Sequence, residues 1–172
     1  MVNQSNQKKL ELSHLICAVG GALAGSWIVR ENLAWSKKSR AEKESPEDAE
    51  AAYTEITEIL DQWEPDQECV NENDFTWDLA EYLAENTDWE VEIFPDSPEG
   101  KPDILIGDLI ALELKVEPNK AERDRCIGQC AGYSRLWMTW MVVINAPAST
   151  IGRLEDLLKD KGLEHILVWD FS

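Results

Sequence analysis

The sequence predicts an α/β domain built on a mixed β-sheet with helices on both sides, and three observations carry that prediction. Residues 137–144, WMTWMVVI, are apolar on both faces, which suits a central strand covered twice. Residues 101–116, KPDILIGDLIALELKV, sort into an aliphatic face and a charged face when folded as a hairpin. Around these strands run segments with apolar residues at helical spacing, so strands alternate with helices along the chain.

From the start, residues 1–41 form an N-terminal segment. Within it Leu12–Val29 is 18 residues without a formal charge, which just reaches membrane-spanning length. Gly21 and Gly25 make a GxxxG spacing, which lets two helices approach closely in lipid. The larger basic cluster, Arg30, Lys37, Lys38, Arg40 and Lys43, follows this stretch and predicts a cytoplasmic C-terminal side. A cleaved signal ending at Ala22-Leu23-Ala24 and a buried or partner-facing helix are the competing readings, and Glu11 interrupts the first.

Residues 42–65 read as an acidic helical linker. Ser45 caps it, Pro46 sits in the first turn, and Glu47-Asp48 lie at the positive end of the helix dipole. Ala49, Ala52, Tyr53, Ile56, Ile59, Leu60 and Trp63 continue at helical spacing until Pro65. The helix is expected to pack on the main domain, with a coiled-coil partner face as the alternative.

Residues 66–172 hold that main domain. Glu68–Asn86 reads as a helix with Phe75, Leu79, Tyr82 and Leu83 on one face, and Trp89–Phe94 alternates as a strand. In the hairpin that follows, a two-residue turn at Gly107-Asp108 would put Asp103 and Glu113 on opposite faces. A loop one residue longer, or a bulge, pairs Asp103 with Glu113 instead. Ile104, Ile106, Ile110, Leu112, Leu114 and Val116 then line one face, and Asp103, Leu105, Ala111, Glu113 and Lys115 the other. The second register buries a clean apolar face and is the one expected. Next, Asn119 caps a helix through Arg135, Trp137–Ile144 is the buried strand, and Pro147 breaks it. Ser149 or Thr150 is the expected cap of a helix through Lys161, which Gly162 stops before a last strand, His165–Phe171. His165 has no partner motif and reads as structural.

The charged face of the hairpin is chemically expensive. Two carboxylates side by side on a covered sheet repel each other unless a cation or a proton neutralises them. A hard divalent ion such as Mg2+ does this with carboxylates, waters and phosphate oxygens as ligands. A lysine on the same face can orient or deprotonate a water. The Pro102-Asp103 and Glu113-Leu114-Lys115 pattern resembles the PD-(D/E)xK nuclease superfamily. Over roughly Glu68 to Phe171 the element order resembles its restriction-endonuclease-like fold, and Arg125, Gln129 and Tyr133 resemble its RecB-like branch. The resemblance implies Mg2+- or Mn2+-dependent hydrolysis of phosphodiester bonds, in DNA above all. It implies metal held by Asp103, Glu113 and the Leu114 carbonyl, and a further acid on the first helix. Glu72, which shares the inward face of Phe75, Leu79 and Leu83, is the choice ahead of Asp74 and Asp78, although some relatives carry the acid where this chain has Thr76. Lys115 would position the attacking water, helped by Gln129. Lys120, Arg123, Arg125 and Tyr133 are the substrate-binding candidates, and a homodimer is compatible with this reading.

Charge complicates it. The chain carries a net −18, and Glu42–Gly100 alone holds 21 acids against Lys43. Such a field opposes nucleic acid at long range, although salt screens it. From Lys101 to Arg135 the charges cancel, so the candidate site lies in the least acidic part. The alternative reading is therefore a catalytically inactive nuclease-fold module that binds nucleic acid or a protein partner at the membrane. Cys17, Cys69, Cys126 and Cys130 form no CxxC pair, and the expectation is reduced thiols. No Gly-rich phosphate loop, zinc knuckle or helix-turn-helix pattern occurs, and the eight tryptophans are scattered as core residues would be.

Overall fold

A computed structural model describes residues 46–171. The order is α1 (Pro46–Leu60), α2 (Glu72–Asn86), β1 (Val91–Ile93), β2 (Ile104–Ile106), β3 (Ile110–Val116), α3 (Lys120–Tyr133), β4 (Met138–Ile144), α4 (Ala148–Asp160) and β5 (Leu167–Phe171). The strands form one mixed sheet in the order β1-β2-β3-β4-β5, antiparallel from β1 to β3 and parallel from β3 to β5. The α/β class and the mixed sheet agree with expectation. The candidate membrane segment 12–29, and Cys17 with it, lies outside the described residues. Among the described residues, no helix is long and apolar enough to cross a membrane.

The period-2 pattern of the strands divides the core between the two sheet faces. Ile104, Ile106, Ile110, Leu112, Leu114, Trp140, Val142 and Ile144 pack with the inward stripes of α1 and α2, among them Ile56, Leu60, Phe75, Leu79 and Leu83. On the other face, Met141 and Val143 meet Cys126, Ile127 and Cys130 of α3 and Leu154 and Leu158 of α4. Thus α1, acidic in charge, belongs to the same core as the sheet. Every residue of β4 after Met138 is buried, as a strand covered on both sides requires.

The hairpin adopts the longer-loop register. Ile104 pairs with Leu112 and Ile106 with Ile110, which continues to Asp103 opposite Glu113. The turn combines a left-handed pair with one extra residue. Gly107 and Asp108 have φ of 61° and 60°, and the Leu109 N–H donates to the Ile106 carbonyl at 2.9 Å. Gly107 is needed twice over, because a Cβ there would also lie 2.7 Å from Cε3 of Trp89. Gly107→Ala is therefore expected to destabilise the protein by about 1–3 kcal/mol, the scale of a strained backbone position. A urea-unfolding midpoint equal to wild type would show that the turn relaxes without cost.

Two helix starts differ from expectation. The second helix begins at Glu72, four residues late, because a turn at Asp66–Cys69 precedes it and the Asn71 side chain caps it, accepting the Asp74 N–H at 3.1 Å. Neither Ser149 nor Thr150 caps α4. It starts at Ala148 after Pro147 without a side-chain cap, and the Thr150 N–H is taken by the Pro147 carbonyl at 2.7 Å. Asn119 does cap α3, in a capping box with Glu122. Gly162, at φ 70°, follows the end of α4. A further turn, with the Ile166 N–H on the Leu163 carbonyl, keeps the exposed His165 out of β5.

Candidate active site

The register sets the first three groups. Asp103, Glu113 and Lys115 emerge on the side of β2 and β3 opposite the α1/α2 core and are 9%, 2% and 3% exposed. At Asp103 the backbone ladder changes partners: its N–H donates to the Leu112 carbonyl at 3.1 Å, and its carboxylate accepts the Leu114 N–H at 2.7 Å. That bond fixes the Asp103 carboxylate against β3. The fourth group comes from another layer. Glu72 stands in the first turn of α2, one turn before the buried Phe75, and its Oε1 reaches the Lys115 Nζ at 2.9 Å. Lys115 Nζ also lies 3.0 Å from Glu113 Oε1 and 4.0 Å from Asp103 Oδ2, and it donates to the Leu114 carbonyl. The other two acids considered on this helix are engaged elsewhere. Asp74 accepts from the Val70 N–H and the Asn71 amide, and Asp78 from the Trp63 indole and the Asp66 N–H.

Three carboxylates thus share one ammonium, and their protonation reflects the shortage of positive charge. Burial is the main cause that raises Asp103 to about 6, against the pull of Lys115 and the Leu114 N–H. Burial, then the charge of Asp103, raises Glu113 to about 7. Burial alone would lower the Lys115 pKa, but Glu113, Asp103 and Glu72 outweigh it and raise it. In the folded protein Asp103 therefore keeps its proton up to about pH 6 and Glu113 up to about pH 7, whereas the unfolded chain has lost both by about pH 4–5. The folded state binds more protons between those limits, so stability without metal is expected to fall as pH rises through that window. Asp78 and Glu81, raised chiefly by burial, act in the same direction. Thermal unfolding in EDTA across the window measures the slope, and Glu113→Gln is expected to flatten it. An equal slope in both proteins would remove Glu113 from the account.

The donor set is compatible with a hard divalent cation. It consists of carboxylate oxygens and a backbone carbonyl, and Glu113 Oε2 is buried with no hydrogen-bond partner. A buried carboxylate oxygen is costly to leave unpaired, and a cation would satisfy it. Among the described residues, no three His, Cys, Asp or Glu side chains form a ready metal cage, and the acids are arranged around the ammonium instead.

The remaining expected residues divide. Gln129 makes no hydrogen bond to Lys115. Its Nε2 lies 3.5 Å from the Tyr133 hydroxyl, and its Oε1 is buried without a partner. Tyr133 is 1% exposed and donates to the Lys101 carbonyl at 2.8 Å, so it braces the approach to Asp103 and presents no hydroxyl to a ligand. Gly100 permits that approach, since a Cβ there would sit 3.4 Å from the Tyr133 ring. Sequence spacing alone gave no sign of this brace, because it joins a loop to a helix across 32 residues. Lys120 pairs with Asp124 at 2.8 Å, and Arg123 donates to the Pro118 carbonyl at 3.0 Å. Arg125 is exposed, and its charge favours the ionised form of Asp103. Cys130 is buried on α3, and its hydrogen bond with Cys126 is the first cause holding its thiol protonated. Comparison of the chain with protein-family models, with curated proteins and with solved structures gives no match.

Proposed function

We propose that this chain is a metal-dependent nuclease of the PD-(D/E)xK type, with a restriction-endonuclease-like fold, hydrolysing phosphodiester bonds in DNA. Its catalytic domain would be cytoplasmic and tethered to the membrane through residues 12–29. The observation that carries the reading is the convergence of Glu72, Asp103 and Glu113 on Lys115, at 2.9, 4.0 and 3.0 Å, from two layers of the fold. Asp103, Glu113 and the Leu114 carbonyl would hold Mg2+ or Mn2+, with Glu72 available to a second ion or a water. The ion would supply positive charge to the phosphate oxygens and the leaving group as negative charge develops on them. The Leu114 N–H keeps the Asp103 carboxylate oriented. Lys115 orients the attacking water, and Gln129 steadies the water from α3. Arg125, which is exposed, offers a phosphate contact, and Lys120 and Arg123 join it after exchanging their present partners.

A second reading is supported by the way the acids organise around an ammonium in place of a metal cage among the described residues. In it the chain is a nuclease-fold module without catalysis that binds nucleic acid or a protein partner. Incubating the full chain with a panel of duplex, branched and single-stranded DNA and RNA, with and without Mg2+ or Mn2+, separates the two. Cleavage that requires the ion supports the nuclease. Nucleic-acid binding without cleavage under any ion supports the module.

A further inference from the structure

We propose, resting on the nuclease reading, that Lys115 is a built-in competitor for the metal site. Its ammonium holds the same oxygens a divalent ion needs, so the ion loads only as the side chain leaves them.

The argument begins with donors and acceptors. An ammonium has three N–H bonds and no acceptor capacity. In Lys115 these face Glu72 Oε1 at 2.9 Å, Glu113 Oε1 at 3.0 Å and the Leu114 carbonyl, with Asp103 Oδ2 at 4.0 Å as a fourth neighbour. Glu72, Glu113 and the Leu114 carbonyl therefore already give an oxygen to the lysine, and Asp103, whose Oδ2 accepts the Leu114 N–H, lies at ion-pair distance from it. With its three donors used and the residue 3% exposed, the ammonium has nothing left with which to orient a water or meet a phosphate. The same side chain is a lid on the ligand oxygens or a reagent, and it cannot be both in one position. A divalent ion on those oxygens would lie within a few ångströms of the ammonium, where like charges repel strongly at the reduced dielectric of a covered site. The unpartnered Glu113 Oε2 gives the ion a first foothold that the lysine does not occupy. Once displaced, the ammonium adds its charge to the substrate side. That imposes an order of metal first and nucleic acid second, which suits a chain whose net −18 otherwise repels nucleic acid.

Calorimetric titration of Mn2+ into the full chain and into Lys115→Met tests the competition without reference to activity. The variant is expected to bind Mn2+ at least about tenfold more tightly, a conservative figure for removing one unit charge from so close a position. Because Lys115→Met leaves buried acids without a counter-charge and could fail to fold, a second measurement uses wild type. The lysine ammonium signal in 15N NMR, assigned by its loss in Lys115→Arg, should be protected from solvent exchange without metal and lose that protection on adding Mg2+. Equal or weaker Mn2+ binding by folded Lys115→Met overturns the competition and leaves the nuclease reading standing. So does an ammonium signal unchanged by Mg2+ that calorimetry shows to be bound. If neither protein binds Mg2+ or Mn2+, the competition and the nuclease reading fall together.

Discussion

Glu113→Gln is expected to abolish ion-dependent cleavage of DNA, lowering the rate by at least about a hundredfold, the scale of losing one preorganised electrostatic partner. The substitution keeps the volume and the sheet position of a side chain that is 2% exposed, and removes only its charge. Two effects follow. The proposed ion loses a carboxylate that faces both Lys115 and the buried interior, and Lys115 loses one of its counter-charges while keeping a carbonyl oxygen as acceptor. The fold is expected to survive, because Glu113 is raised to about 7, so at neutral pH without metal its ionised form is an electrostatic burden. Single-turnover cleavage of a labelled duplex, alongside thermal unfolding in EDTA, measures both halves of the expectation. Lys115→Ala is expected to lose cleavage as completely, by removing the group that orients the water. Wild-type cleavage by both variants would withdraw the catalytic assignment.

The second large effect concerns stability. Trp140→Ala is expected to destabilise the domain by about 3–5 kcal/mol, the range for truncating a buried large aromatic. Trp140 sits on β4 between Leu112 of β3 and Leu167 of β5, and it is 1% exposed. Its ring meets Tyr53 of α1 edge-on at 5.6 Å and Trp169 of β5 at 5.9 Å. Removing it opens a cavity where the α1 layer meets the centre of the sheet. The surrounding β-strands are held in register by their ladders and can close over it only in part. Urea unfolding followed by far-UV circular dichroism measures the loss, and a change below about 1 kcal/mol would mean that α1 collapses into the space.

The parts of this protein that the chain announces are those fixed by short-range periodicity. The hairpin register was legible because a slip of one residue would put Ile104 and Ile106 on the face opposite Leu112 and Leu114, a cost no flanking residue offsets. The covered strand β4 and the Asn119 cap of α3 were legible for the same local reasons. Asp103, Glu113 and Lys115 came with the register at no further assumption. The start of α2 was not legible, because Glu68 and Glu72 are equally good first-turn acids and the choice fell to the turn at Asp66–Cys69 and the Asn71 cap. Nor was the start of α4, where a backbone turn on Pro147 replaced a side-chain cap.

The site shows the same division. Helical spacing put Glu72 on the inward face of its helix, but spacing cannot say how far a helix slides along a sheet. Only the packing of Phe75, Leu79 and Leu83 on the aliphatic side of the hairpin brings Glu72 to Lys115 across 43 residues. Gln129 and Tyr133 were read as site residues from their helical spacing, but only the docking of α3 sets their contacts in this structure: Gln129 Nε2 lies 3.5 Å from the Tyr133 hydroxyl, and that buried hydroxyl donates to the Lys101 carbonyl. The sequence alone thus settled which face of the hairpin carries the acids and the lysine, since side-chain alternation is a property of one strand. The tertiary structure decided that a third acid joins them and that the ammonium stands at their centre, since those depend on how separate layers pack.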